Sequence, residues 1–157
     1  MPVATAKVQG RRKVDYKTLD EIVADAARLS SGPMATLGNW SAGQIFQHLA
    51  NAFNRSIDGF PTRLPWFIRV VARLFKKRFV SGAMPAGLQV PAGIAKVVMP
   101  DPTATAAGLA ALREAVARLH RETTRAEHPA LGKLTREEWD QVHLNHANLH
   151  MSFIIPQ

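Results

Sequence analysis

Apolar residues return every three or four positions in five stretches of the chain, and each stretch reads as an amphipathic helix. Leu19, Ile22, Val23, Ala26 and Leu29 set the first, over residues 18 to 30, closed by "SSGP". The second opens at "NWSAGQ", where Ser41 and Gln44 have the spacing of a capping box, hydroxyl and amide each satisfying a free backbone N–H. Ile45, Leu49, Ala52, Phe53 and Ile57 give it an apolar side, and "DGFP" stops it. Residues 64 to 79, "LPWFIRVVARLFKKRF", predict a third, with Phe67, Ile68, Val70, Val71, Leu74 and Phe75 opposite a row of Arg69, Arg73, Lys76 and Lys77. The Pro and Gly of "VSGAMPAGLQVPAGIAKVVMPDPT" then predict a long irregular connection. An alanine-rich helix suited to close packing follows over 103 to 125, marked by Leu109, Leu112, Val116 and Leu119. The loop "EHPALGKL" leads to the last helix, where Thr135 and Glu138 repeat the capping box. No alternating strand pattern, hairpin signal or internal repeat stands out, so the expected fold class is all-α.

Composition narrows this picture. With 157 residues, 46% of them hydrophobic and 20% charged, the chain has the size and balance of one globular domain. Residues 1–13 are expected to be a mobile basic arm and 14–157 the domain. The absence of cysteine excludes disulfides, thiolate metal sites and a cysteine nucleophile, leaving His, Asp or Glu to hold any metal. The polar, basic start "MPVATAKVQGRRKV" lacks the apolar core of a signal peptide, and a cytoplasmic protein is expected. The net charge of +8 is uneven: no acidic residue lies between Asp58 and Asp101, where Arg63, Arg69, Arg73, Lys76, Lys77, Arg78 and Lys96 all fall.

Three of the six histidines crowd into "HLNHANLH". At about 100° per residue, His143, His146 and His150 fall within roughly 60° of one another on the last helix. Trp139, Val142, Leu149, Phe153 and Ile154 share that side, whereas Glu137, Gln141, Asn145, Asn148 and Ser152 lie opposite. Burying imidazoles in an apolar stripe is unfavourable unless their nitrogens find partners, at about 1–3 kcal/mol for each orphan. Residues four apart on a helix have side chains about 5–6 Å apart, so His146 and His150 can reach one ion. Hydrogen-bonded core histidines satisfy the same pattern. On the second helix, His48 stands where the apolar stripe meets the polar row Gln44, Asn51 and Arg55, a place from which it can enter a cleft. His128, before Pro129, is expected to be exposed, His120 to be a boundary residue, and Trp40 and Trp139 to pack in the core.

"LGNWSAGQIFQHLANAFNRSIDG" and "HPALGKLTREEWDQVHLNHANLH" resemble the DinB-like metal-binding four-helix-bundle superfamily, most closely a branch of uncharacterised function. The likeness runs from about residue 15 to 155. It implies a four-helix bundle with the basic segment and its Pro/Gly-rich extension inserted between the second and third main helices. It also implies that His48, from a "HL" pair, joins His146 and His150 of the HxxxH pair in holding a divalent metal. His143 is additional to that pattern.

Three neutral imidazoles would leave the ion's charge uncompensated and coordination positions open, which zinc, nickel or ferrous iron accepts. Relatives by resemblance include thiol-dependent transferases and isomerases and proposed hydrolases. The expectation is therefore a metal-dependent enzyme acting on a small molecule, with a low-molecular-weight thiol as cosubstrate. Gln44, Asn51, Arg55 and His143 are candidate substrate or supporting contacts, and a basic rim suits an acidic substrate. A metal retained only for folding is a further reading. The competing class is a binding protein that uses segment 63–78, six positive charges beside Trp66, on an anionic membrane or nucleic acid. The simpler reading of that segment is a core helix with a solvated basic face. No motif predicts specific nucleic-acid recognition, and a homodimer is compatible with the sequence.

Overall fold

Helix starts are fixed by side chains that satisfy free N–H groups. In a computed structural model describing residues 3–87 and 92–157, helix α1 (Leu19–Ser30) begins where the Thr18 hydroxyl accepts from the Glu21 N–H. Capping boxes open α2 (Ala42–Asp58) at Ser41 and Gln44, and a later helix, α7 (Arg136–Met151), at Thr135 and Glu138. Helix α2 ends at Gly59, whose φ of 88° is a conformation glycine enters without a Cβ penalty. Between them lie α3 (Trp66–Leu74), α4 (Lys76–Ser81), α5 (Ala92–Val98) and α6 (Thr105–Arg121). The protein is thus mostly helical.

The long helices α1, α2, α6 and α7 supply most of one hydrophobic core, with Ile22, Phe46, Leu49, Phe53, Leu112, Leu119 and Met151 fully buried. The most extensive contact is α2 on α6, and small residues permit it. A Cβ added at Gly108 would overlap the Gly43 carbonyl, and one at Gly43 would overlap the carbonyl of Thr103. Arg118 closes the far end of this contact, donating to Asn54 and pairing with Asp58. The close packing expected of the alanine-rich helix is thus realised at glycine.

Several expectations are corrected. The helical segment 64–79 breaks at Phe75 (φ −101°, ψ 17°), giving α3 and α4. It is not a core helix, because Ala72 is the one buried residue of α3. The connection after it is not wholly irregular, since "AGIAKVV" forms α5 and buries Ile94 and Val98. The remainder of the "MPAGLQVP" run, Leu88 to Pro91, lies outside the described residues.

A short antiparallel pair also forms, between β1 (Met34–Thr36) and β2 (Ile154–Pro156), with Ala35 opposite Ile155. Helix α7 therefore stops at Met151, and Phe153 and Ile154 are buried from a turn and a strand instead of from its face. Asn145 and Ser152, assigned to the solvent side, are buried too. Helix α4 covers Asn145, which donates to the Val80 carbonyl at 2.6 Å.

Near the start of the described residues, one side chain is tied to the helical body. Arg12 donates to the carbonyls of Met151 and Ile154 and pairs with Asp25 at 2.7 Å. Tyr16 donates to the same carboxylate, which these partners hold below its usual range despite burial. Among the described residues, no helix is long and apolar enough to cross a membrane.

In a helix interior, Gly→Ala ordinarily stabilises by about 1 kcal/mol. At Gly108 the sign should reverse, because the new methyl meets backbone. Gly108→Ala is expected to lower stability by about 1–3 kcal/mol, read as a lower midpoint of urea denaturation.

Candidate metal centre

The periodicity of α7 carries His146 and His150 onto its inner side, one turn apart, and α2 presents His48 to them. Each of the three rings offers a nitrogen, and these nitrogens all lie within 4.8 Å of one another. His48 Nε2 and His146 Nε2 are 3.0 Å apart, and the ring centroids of His48 and His150 are 4.5 Å apart. Nitrogens bound to a tetrahedral zinc would be separated by about 3.3 Å, given metal–nitrogen bonds of about 2.0–2.1 Å. The three rings are thus close enough that they could hold a metal ion, the widest separation being larger than in a bound tetrahedral site.

The His48 tautomer follows from its other nitrogen. Nδ1 lies 2.7 Å from the Val98 carbonyl, which can only accept, so Nδ1 carries the hydrogen and Nε2 turns a lone pair towards His146. In metal sites a ligand imidazole usually donates its other N–H to a carboxylate, a backbone carbonyl or water. Val98 is the last residue of α5, and carbonyls in a final turn lack partners in their own helix.

Burial keeps the three rings neutral, the state that ligates. It lowers His48 against the opposing bond to Val98. Burial, reinforced by the neighbouring histidines, holds His146 well below its ordinary value and brings His150 down to about 3. A hydrogen bond from one Nε2 to the other would complete His48 and engage one of the two ring nitrogens of His146. The His150 ring has no hydrogen-bond partner among the described residues, whereas a cation shared by all three rings would engage a nitrogen of each.

Trp40 forms one wall. Its ring stacks on His150 at a centroid distance of 5.5 Å and an angle of 18°, and meets His48 at 4.8 Å. Core packing is the sequence expectation for Trp40; its position just before the Ser41 cap brings it to the mouth of α2, beside His48.

The remaining candidates divide. Gln44 accepts from the Ser41 N–H within the capping box, Asn51 accepts from Gln47 at 2.8 Å, and Arg55 donates forward to the Gly59 carbonyl at the helix end. All three are engaged along α2, and none bonds to the histidines. His143 is core. It is fully buried between Phe53 and Trp139, and its Nε2 lies 3.0 Å from the Ser56 hydroxyl. Ser56 donates its own hydrogen to the Phe53 carbonyl, so it accepts from His143. A serine inside an apolar stripe was the available signal for this pair; a backbone carbonyl such as that of Val98 leaves none.

Two histidines outside the centre also find partners. His120, exposed, pairs with Asp20 at 3.0 Å. His128 is not exposed as expected: its Nδ1 accepts from the N–H groups of Ala130 and Leu131, each at 3.1 Å, and its ring meets Trp139. A separate recess of about 780 Å³ lies across α7 from the centre, lined by Arg11, Arg12, Lys13, Asn145 and Asn148. Arg12 is already committed there to Asp25.

Burial pulls His128 down to about 4 and His143 to about 3, both from 6.5. The native chain then declines protons that the unfolded chain accepts below about pH 6.5. This contribution to stability is complete above that pH and is lost as pH falls through the folded values. Melting temperatures are expected to fall steadily across about pH 7, 5.5 and 4.5. Ser56→Ala, which orphans the His143 N–H, is expected to cost about 1–3 kcal/mol at neutral pH by urea denaturation.

Comparison with curated proteins finds no match, and neither does comparison with solved structures. A family model does match, over residues 8–157, a span that contains His48, Trp40, Val98 and the whole of α7. By that match the chain belongs to DUF1569, a family described as protein of unknown function.

Proposed function

We propose that this is a DinB-like four-helix-bundle protein that binds one divalent metal through His48, His146 and His150 and acts enzymatically on a small molecule. The observation that carries the reading is the gathering of three neutral imidazole nitrogens within 4.8 Å, with the His48 tautomer set by Val98. Neutral nitrogen donors suit zinc, nickel or ferrous iron. When bound, such an ion supplies a Lewis acid with open positions for the oxygen or sulfur of a small molecule.

The protein's own residues supply the remainder. The Val98 carbonyl keeps the His48 ring from turning, and Trp40 shields one side of the centre from water. His143 stays locked on Ser56 and moves no proton to a substrate. Neither ligand helix sets a carboxylate beside the histidines, so the reaction type favoured is one that needs no separate carboxylate base. A thiol-dependent transferase or isomerase, with a low-molecular-weight thiol as cosubstrate, fits that requirement, as does a hydrolase. Asn51, one turn beyond His48, and Arg55, two turns beyond, remain candidates to orient a substrate, an acidic one in the case of Arg55, on release from Gln47 and Gly59.

Metal analysis of untagged protein, produced with zinc, nickel and iron supplements, is expected to find close to one ion per chain. His48→Ala, His146→Ala and His150→Ala should each reduce affinity by about tenfold or more, whereas Ser56→Ala should retain the ion. Protein that stays metal-free under every supplement overturns the reading. Cobalt-loaded protein separates catalysis from a structural role. A new sulfur-to-cobalt absorption band on adding a small thiol supports an open, reactive position, and an unchanged spectrum assigns the ion to folding.

A further inference from the structure

The segment α3–α4 contradicts the usual direction of an amphipathic helix. Trp66, Phe67, Val70, Val71 and Leu74 face solvent, with Trp66 and Leu74 exposed by 74% and 77%. At about 100° per residue these five span roughly 140° of α3, and Ala72, its one buried residue, lies across the helix from the centre of that arc. Phe75 and Phe79 extend the exposed surface into α4. Such a contiguous apolar surface marks a place of contact.

Charge decides the partner. Arg73, Lys77 and Arg78 border the apolar surface, are exposed, and have no ion-pair partner among the described residues. Arg63 and Lys76 do have one, in Glu127 and Glu138. No carboxylate lies between Asp58 and Asp101, and Glu127 and Glu138 are already engaged by Arg63 and Lys76, so self-association would bring the remaining like charges together. A phosphodiester backbone would engage the cations and leave the branched aliphatic residues wet. An anionic lipid surface satisfies both, receiving Leu74 and the aromatic rings among acyl chains while phosphates meet Arg73, Lys77 and Arg78. At nine residues α3 is about 14 Å long, far short of a span, so it would lie in the plane of the interface.

We infer that α3–α4 is a peripheral membrane-docking element that inserts its exposed aromatic and aliphatic face into anionic phospholipid bilayers. The site is distinct from the three histidines, and the inference does not depend on their binding metal. It joins the chain to the body through the Lys76–Glu138 pair and the Asn145–Val80 hydrogen bond, both on α7.

Sedimentation with vesicles of mixed phosphatidylglycerol and phosphatidylcholine, against vesicles of phosphatidylcholine alone, tests it at low salt. The full chain is expected to bind the anionic vesicles at least about tenfold more tightly, and to release as salt screens the attraction. Leu74→Glu and Trp66→Glu should each abolish sedimentation, and the double variant Lys77→Glu with Arg78→Glu should weaken it by about tenfold or more. Since these positions are exposed, the variants should melt at the temperature of the parent. Trp66 is the most exposed of the three tryptophans, and its fluorescence should shift to shorter wavelength on the anionic vesicles. Absence of sedimentation at low salt overturns the inference. So does equal binding to both kinds of vesicle. A dimer in solution that Leu74→Glu dissociates would assign the face to a second copy instead, and tighter binding to duplex DNA than to vesicles, unaffected by Leu74→Glu, would assign the charge to nucleic acid.

Discussion

Two glycines set the distance between α2 and α6, and much else follows from that distance. Where Gly108 meets the Gly43 carbonyl, neither backbone carries a Cβ that would hold the helices apart. The same approach seats Thr103 and Ala104 on the first turn of α2. The chain entering α6 is thereby pinned to the helix that bears His48. Only a few residues earlier stands Val98, whose carbonyl fixes that histidine's hydrogen on Nδ1. A packing constraint between two helices thus reaches the protonation pattern of an imidazole one to two turns further along α2.

The sequence makes visible what is local. Ser41 with Gln44, and Thr135 with Glu138, announce helix starts because the bonds they make span three residues, and both boxes form. The grouping of His146 with His150 is equally local, a consequence of helical period. Bringing His48 to them is a tertiary event, which resemblance to a family implies and spacing does not. The Val98 carbonyl escaped notice since every residue has one, and Trp40 escaped because an aromatic ring before a helix start is ordinarily core.

Other misreadings share a different cause. Periodicity tells which side of a helix is apolar and says nothing of which way that side faces. In α3 the apolar side is turned outward, so the inference from amphipathicity to burial failed at Leu74. In α7 the failure ran the other way. Asn145 and Ser152 lie opposite the histidines and are still buried, because α4 and the segment around Arg11 and Arg12 close over them. Helix α7 is enclosed from two directions, which a pattern with one polar side cannot announce. The strands β1 and β2, three residues each, are too short for alternation to be read.

The pairing of Thr36 with Ile154 joins two places that border the histidines. Trp40 follows the first by four residues, and His150 precedes the second by four. Their stacked rings are therefore the inner rungs of a ladder whose outer rungs are backbone hydrogen bonds. Strand pair and ring stack thus form one contiguous unit, and fraying of the strands would loosen the indole and the imidazole together. The endurance of the centre is in this sense borrowed from six residues that touch none of its nitrogens.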